Sequence, residues 1–543
     1  MSAALVMIVA LVALLIGYLV YGRYVARKLG LDPNRATPAH TKQDGVDYVP
    51  AKAPVLMGHH FASIAGAAPI LGPIYAAVFG WIPVLLWILI GSIFLGGVHD
   101  FSSIVASVRH GGKTIGEVIE EHIGRSGKRL FLIFAWSVIV LVIATFANAV
   151  ANVFVAEPST ATASFLFIVV AVAFGLSIYR LKAPLLVSSL VGVALLLGCI
   201  AVGLRFPIAQ SYNTWKIILF VYIFFAAVAP VWILLQPRDY LNSFLLYMIM
   251  IAGVAGIFVA NPQITFPAFT AFHPAGSGYL FPILFVTVAC GAISGFHSLV
   301  SAGTTAKQLN KESDAKVIGY GSMLIEGLLA VIALITAVTI LQSDYAQRVT
   351  KGGGGPIGIF SAGIGGFVSH LGIPEKAGAT FAALAISAFA LTTLDTATRL
   401  GRFMFQEFFE GMPMQSVLSK NRYVGTLVTI GVAAFLTFTP TQGALWPLFG
   451  AANQLLASLT LLALTVWLAK SGKDNKFLIY PMYFMFCVTL TALGFMVYNN
   501  FTSEPRNWTL VIFPLILLAV AVTLVVNAVK SLRYYSAKQR PAA

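Results

Sequence analysis

Apolar stretches of about 20 residues follow one another along nearly the whole chain, and short polar connections separate them. A helix of about 20 residues crosses the ~30 Å hydrocarbon core of a bilayer. The pattern predicts about fifteen transmembrane helices, which begin near residues 3, 56, 81, 130, 163, 183, 216, 240, 280, 317, 376, 422, 443, 477 and 509. The chain is therefore predicted to be an all-α polytopic membrane protein.

Composition and charge support this fold class and add an orientation. Of the 543 residues, 59% are hydrophobic and 10% are charged, whereas soluble domains contain about 25% charged residues. The net charge of +15 comes mostly from Lys and Arg in alternate connections, as the positive-inside rule predicts for cytoplasmic loops. We therefore expect an N-terminus outside, a C-terminus in the cytoplasm, the lipid bilayer as surroundings and no nucleic-acid partner.

Two of the predicted helices are interrupted near their middle. Gly66 and Pro69 lie within AGAAPILGP in the second helix, and Pro230 lies within FFAAVAPVWILL in the seventh. A proline kink explains either break alone. Because the helices are five apart and run in opposite directions, the pair indicates the inverted halves of a secondary transporter. The predicted units are a leading helix at 1–30, repeats at 54–206 and 212–402, and four C-terminal helices at 422–543.

Ionisable side chains inside these helices are candidates for proton coupling, because such residues are costly in lipid. Glu326 lies about nine residues into its helix, roughly 13 Å from its start, where desolvation favours a carboxyl that carries a proton. The alternative is a hydrogen-bonded carboxyl that ties helices together.

Histidines and an aspartate form a second set of candidates. His59, His60, His99 and Asp100 lie near the inner ends of neighbouring helices, and His297 lies slightly deeper. Such a group could relay protons, since histidine titrates near neutral pH. It could also bind a metal ion through His59, His60, His99 and Asp100, although no cofactor is expected. Structural histidines bonded to backbone carbonyls are the third possibility.

Three hydroxyl side chains in the ninth predicted helix are candidates for a cation site. Ser301, Thr304 and Thr305 share one helix face, where they could hold a cation such as sodium or bond to another helix.

Four charged residues are predicted to act in gating at helix ends. Asp395 and Arg399 are four residues apart, the spacing at which opposite charges meet on a helix, and Arg238 and Asp239 follow the seventh helix. Arg238 is also a candidate for capturing a carboxylate, because a guanidinium matches it bidentately.

Several long motifs resemble one family of transporters. They are GHHFASIAGAAPILGP, PVWILLQPRDYL, ACGAISGFHSLVSAGTT, IGYGSMLIEG, TTLDTATRLGRFM and LWPLFGAANQLLA, in this order over roughly residues 50 to 460. The chain resembles the carbon starvation protein A family, also called the peptide transporter carbon starvation family. The longer members often have Gln where His99 stands, and they carry a larger insertion after the helix of Glu326.

The resemblance implies an inner-membrane secondary transporter of the amino acid–polyamine–organocation superfamily, whose five-plus-five inverted repeat has broken first and sixth helices. In that fold the substrate binds at the breaks. The residues so implied are Ala65, Gly66, Ala67, Ala68, Pro69, Ala226, Ala229, Pro230 and Trp232.

The expected function is import of a small carboxylate-bearing nutrient, either pyruvate or small peptides and amino acids. We expect proton symport with alternating access, and no enzymatic activity. Sodium coupling and a membrane metal- or haem-binding redox protein are the alternatives. The sequence does not indicate an oligomeric state.

Overall fold

The structure is a computed structural model that describes residues 1–274, 276–349, 354–410, 418–439 and 442–538. Within these residues it is a bundle of helices, which confirms the predicted all-α membrane fold but not the predicted count of about fifteen spans. Eleven helices are long and apolar enough to cross a membrane, or up to 12 spans with one bent pair counted as a span. Three shorter apolar helices, Tyr212–Val228, Gly355–Ser369 and Arg422–Phe438, accompany them.

The first half of the chain contributes helices α1 to α10. Their bounds are α1 Ala3–Leu29, α2 Ala53–Ile64, α3 Ala68–Phe79, α4 Trp81–Arg109, α5 Ile115–His122, α6 Arg125–Ala156, α7 Pro158–Tyr179, α8 Leu185–Arg205, α9 Tyr212–Val228 and α10 Leu235–Ala260.

The second half contributes helices α11 to α20. Their bounds are α11 Leu280–Thr287, α12 residues 295–308 with a π-helical turn at Ser301–Thr305, α13 Glu312–Val338, α14 Gln342–Arg348, α15 Gly355–Ser369, α16 Glu375–Phe408, α17 Arg422–Phe438, α18 Gln442–Lys470, α19 Lys476–Thr502 and α20 Trp508–Lys538.

The first predicted break is confirmed. Helix α2 ends at Ile64, α3 begins at Ala68, and the two axes meet at 45°. A Cβ atom at Gly66 would lie 2.8 Å from Thr393 Oγ1 of α16 and 2.9 Å from the ring of Phe146 of α6. The glycine therefore lets the unwound backbone approach the two longest helices of the bundle.

A second broken helix packs against the first, but its break is not the one predicted at Pro230. Helices α11 and α12 are separated by the non-helical residues 288–294. A Cβ atom at Gly72 of α3 would lie 2.5 Å from the Thr287 carbonyl oxygen, and one at Gly291 would lie 4.0 Å from the Pro69 carbonyl oxygen. Helix α3 packs on α11 and α2 packs on α12, so the two broken helices are antiparallel neighbours.

The Pro230 segment is also non-helical, but it lies elsewhere. It connects α9 to the full-length helix α10. The Val231 amide donates to the Val46 carbonyl at 2.9 Å, and the Trp232 indole donates to the Gly45 carbonyl at 3.1 Å. These bonds place the segment against the connection that precedes α2, at one end of the bundle.

Candidate functional site

An arginine cluster joins α2, α9, α10 and α16. It consists of His59, Tyr222, Arg238, Asp239 and Asp395. Asp239 receives hydrogen bonds from His59 Nδ1 at 2.7 Å and from Arg238 Nη2 at 2.9 Å. Arg238 also pairs with Asp395, to which Tyr222 donates at 2.6 Å. One arginine thus lies between two buried carboxylates.

The hydroxyl groups of Ser63 and Thr396 extend the hydrogen bonds of the arginine cluster. Ser63 lies 3.3 Å from Asp239 Oδ2 and 3.1 Å from Thr396 Oγ1. The side chain of Arg238 is only 2% exposed, and both aspartates are fully buried. All three guanidinium nitrogens of Arg238 already contact aspartates, so its predicted role in capturing a substrate carboxylate would require this cluster to open.

The predicted pairing of Asp395 with Arg399 does not occur in the structure. Asp395 faces the arginine of α10, while Arg399 pairs with Asp47 at 2.6 Å and donates to the Ala226 carbonyl at 2.9 Å and to the Ala229 carbonyl. Spacing of four residues allows a pair on one helix, but here α10 supplies the partner of Asp395, and the connection before α2 supplies the partner of Arg399.

Asp47 anchors this end of the bundle from a connection outside the spans. It also receives a bond of 2.9 Å from Arg402. Burial alone would raise the pKa of Asp47, but the guanidinium groups of Arg402 and Arg399 outweigh it and hold this pKa below its ordinary value. The carboxylate is therefore ionised at neutral pH and bridges two arginines.

A histidine cluster joins α4, α12 and α13. It consists of His99, Asp100, His297 and Glu326, whose side chains are all fully buried. Asp100 receives His99 Nδ1 at 2.8 Å on one oxygen and His297 Nδ1 at 2.9 Å on the other. His297 Nε2 lies 3.4 Å from Glu326 Oε2. The structure thus brings Glu326, which was predicted separately, together with three residues of the predicted histidine set.

The histidine cluster contains several polar atoms without hydrogen-bond partners. Within the described residues these are His99 Nε2, His297 Nε2 and both carboxyl oxygens of Glu326. A buried polar atom without a partner costs free energy. A proton shared between Glu326 Oε2 and His297 Nε2 would supply a hydrogen bond for two of these atoms. The geometry can therefore hold a proton that is not fixed in place.

The two adjacent histidines of α2 point to different partners. His59 lies in the arginine cluster and also contacts Thr304 at 3.3 Å, whereas His60 contacts Thr305 at 2.8 Å. Ser301, the third predicted cation ligand, has a buried hydroxyl without a hydrogen-bond partner in the described residues. The threonine hydroxyls therefore bond across helices, and His59, His60, His99 and Asp100 are spread over separate bonding groups.

Two side chains that the sequence reasoning missed hold the second break in place. Asn453 Oδ1 accepts from the Phe296 amide at 2.7 Å, and its Nδ2 donates to Ser294 Oγ at 3.0 Å. Gln454 Nε2 donates to the Ile293 carbonyl at 3.2 Å. The signal was present as an Asn-Gln pair within the apolar stretch LWPLFGAANQLLA.

Membrane-spanning helices, two facing broken helices and buried ionisable clusters together define a membrane transporter. The chain belongs to the carbon starvation protein CstA family, whose family model matches residues 2–353 and 346–492.

Relatives in this family cover most of the chain. A peptide transporter CstA of Bacillus subtilis (strain 168) is 33% identical over 98% of this chain and 97% of the relative. A peptide transporter CstA of Helicobacter pylori (strain ATCC 700392 / 26695) is 37% identical over 84% of this chain and 76% of the relative. A pyruvate/proton symporter BtsT of Escherichia coli (strain K12) is 32% identical over 92% and 82%.

A solved structure shares the fold. The manganese transporter of Eremococcus coleocola superposes with a TM-score of 0.52 over 91% of this chain and 99% of the transporter, at 14% identity. At this identity the similarity concerns the arrangement of helices alone.

Proposed function

We propose that this chain is a secondary active transporter that imports a small carboxylate-bearing nutrient by proton symport. Pyruvate and small peptides or amino acids are the candidate substrates, since relatives are named as a peptide transporter and as a pyruvate/proton symporter. The proposal places the protein in the cell inner membrane with its N-terminus outside and its C-terminus in the cytoplasm.

The observation that carries the proposal is the position of the histidine cluster beside the second break. His297 lies two residues after Gly295, where α12 begins, and it connects Asp100 to Glu326. Addition or loss of a proton there changes the charge next to the unwound backbone. Proton binding and the conformation of the break are thereby coupled through one side chain.

The first break supports binding of a carboxylate. The amides of Ala67 and Ala68 lie at the beginning of α3, where N–H groups have no partner within the helix and the helix dipole favours a negative charge. In the first turn of α12, by contrast, the Phe296 amide already donates to Asn453. We therefore place the substrate carboxylate at Ala65–Pro69, and we give Ala226–Trp232 a role at the end of the bundle.

Alternating access is supported by matching elements in the two halves. Each broken helix is followed by a helix with a π-helical turn, at Gly91–Gly96 in α4 and at Lys316–Gly321 in α13. Each half then has a long helix, α6 with 32 residues and α16 with 34 residues, and these two pack on each other. In this proposal the second half of the inverted repeat therefore begins at α11, and not at residue 212 as the sequence predicted.

The arginine cluster is proposed as a gate beside the first break. It joins α2 to α9, α10 and α16, and movement of α2 against α10 would have to separate His59 from Asp239. Proton coupling is favoured over sodium coupling because the hydroxyls of Thr304 and Thr305 already bond to histidines.

Uptake into proteoliposomes tests the proposal. The full-length protein is reconstituted, and accumulation of labelled pyruvate and of a labelled dipeptide is measured with an inward proton gradient, an inward sodium gradient or neither. Accumulation of one substrate driven by the proton gradient alone is expected. Accumulation that follows sodium alone, or uptake of neither substrate above that of protein-free vesicles, would contradict the proposal.

A further inference from the structure

A second group of ligating side chains lies apart from both buried clusters. His110 follows the end of α4, and Glu121 and His122 lie at the end of α5. One ligand atom of each residue lies within 4.8 Å of the others. The transport scheme above uses none of these three residues.

The geometry of His110 fits a metal ligand. Its Nδ1 atom lies 2.6 Å from the Ala106 carbonyl oxygen. A carbonyl only accepts, so Nδ1 carries the hydrogen, and in the neutral imidazole Nε2 then presents a lone pair. That Nε2 atom lies 3.3 Å from Glu121 Oε2, and the imidazole is only 5% exposed. Metal-binding histidines commonly donate their other N–H to a backbone carbonyl in this way.

The geometry of His122 fits as well. Its Nε2 atom is buried without a hydrogen-bond partner in the described residues and lies 4.0 Å from Glu121 Oε1. Its position is held from the backbone, because Ser531 Oγ donates to its carbonyl at 2.6 Å and the Lys470 ammonium also donates there. The backbone of His122 is therefore fixed, and its ring has an unbonded nitrogen 4.0 Å from the carboxylate.

The distances suit a small tetrahedral ion. With metal–ligand bonds of about 2.0–2.1 Å, two ligands of a tetrahedral zinc ion lie roughly 3.3 Å apart. The His110–Glu121 distance of 3.3 Å already has this value, and Glu121, whose side chain is 64% exposed, can rotate toward His122. Calcium and magnesium prefer all-oxygen sites, whereas two imidazoles and a carboxylate suit zinc.

We propose that His110, Glu121 and His122 form a binding site for a divalent transition-metal ion, with zinc as the best fit and one coordination position open. The ion would tie the end of α4, which also carries Asp100, to α5. Through the His122 carbonyl it would also restrain α18 and α20, which contribute Lys470 and Ser531.

Metal titration of the purified full-length protein tests the site, with any affinity tag removed. Cobalt(II) serves as a spectroscopic probe, because tetrahedral coordination gives intense visible absorption. One equivalent of cobalt is expected to bind and to be displaced by zinc. His110→Asn, Glu121→Gln and His122→Asn should each weaken binding at least about tenfold.

The controls separate a site from a folding defect. Glu121→Gln changes an exposed side chain, so this variant is expected to keep the elution profile and thermal stability of the unmodified protein. Glu120→Gln and His370→Asn, a neighbouring glutamate and an exposed histidine elsewhere, should leave the affinity unchanged. Absence of a tetrahedral cobalt spectrum, or equal affinity in Glu121→Gln and Glu120→Gln, would overturn the proposal.

Discussion

The arginine cluster and the histidine cluster are both buried, yet they differ in how completely their polar atoms are bonded. In the arginine cluster, Arg238 contacts two aspartates and Asp239 also binds His59, so that Asp395 Oδ1 is the one side-chain polar atom of the cluster without a hydrogen-bond partner in the described residues. In the histidine cluster, both oxygens of Glu326 and Nε2 of His297 have no hydrogen-bond partner within the described residues. The first arrangement suits a structure held closed by charge pairing, and the second suits a proton that enters and leaves.

Removal of the central arginine gives the largest expected loss of stability. Arg238→Leu leaves Asp239 and Asp395 buried without their cation, and breaking a buried ion pair in this way costs about 3–5 kcal/mol. Thermal unfolding in detergent measures the loss. Arg205→Leu, at an exposed position at the end of α8, is the matched control.

A double variant checks the electrostatic reason for that loss. Arg238→Leu combined with Asp395→Leu removes one of the two stranded carboxylates and should recover part of the stability. An equal or greater loss in the double variant would show that packing, and not charge pairing, holds this region together.

The histidine cluster depends on close backbone packing at its base. A Cβ atom at Gly295 would contact the Asn453 carbonyl oxygen and lie 2.6 Å from the Ala457 amide. Gly295→Ala should therefore destabilise by about 1–3 kcal/mol, as overpacking does, and should reduce uptake. Gly198→Ala, where an added Cβ meets nothing within 4 Å, should be neutral, and similar losses in both variants would refute this explanation.

A pair of histidine substitutions separates the clusters by function. His297→Asn removes the link between Asp100 and Glu326 and should change the pH dependence of uptake. His59→Asn should lower the uptake rate at every pH without changing the shape of the profile, because its Nδ1 is committed to Asp239 at 2.7 Å. Uptake is measured in proteoliposomes over a range of pH, and a changed profile in His59→Asn alone would reverse the assignment.

Asp47 extends the region of paired charges to the end of the bundle. Its substitution should give the smallest of the expected losses of stability. Its pKa in the folded protein is below the ordinary value, so the pairing stabilises the protein above the unfolded pKa of about 3.9. This contribution is lost as pH falls through the folded value.

Thermal unfolding at several pH values measures that contribution. The melting temperature of the unmodified protein should fall more steeply than that of Asp47→Asn as pH falls below about 4. Parallel curves would show that the Asp47 pairing does not contribute to stability.

The sequence predicts some of these features because their causes are local. Gly66 and Pro69 interrupt a helix by their own backbone properties, and the break is where they indicated it. The break at 288–294 contains no proline. The Ile293 carbonyl in this break and the nearby Phe296 amide bond instead to Gln454 and Asn453, about 160 residues later in the chain. The polar Asn-Gln pair is visible in the sequence, but the backbone groups that it binds are not.

The sequence also predicts only in part which side chains bond to one another within the clusters. Depth along the helices put His59, His60, His99, Asp100 and His297 in one predicted group, and the structure joins only His99, Asp100 and His297 of these. The directions of His59 and His60 depend on which neighbours surround α2, and successive residues on a helix point about 100° apart. The same packing gave Asp395 and Arg399 separate partners.

We propose that protons move through Glu326, and proton flux measured together with substrate flux tests this role most directly. Proteoliposomes containing a pH-sensitive dye report proton entry when substrate is added. Unmodified protein and the control Glu375→Gln, an exposed position, should couple proton entry to substrate entry. Glu326→Gln should still exchange labelled for unlabelled substrate but should neither move protons nor accumulate substrate. The same number of protons per substrate in Glu326→Gln as in the unmodified protein would contradict the account.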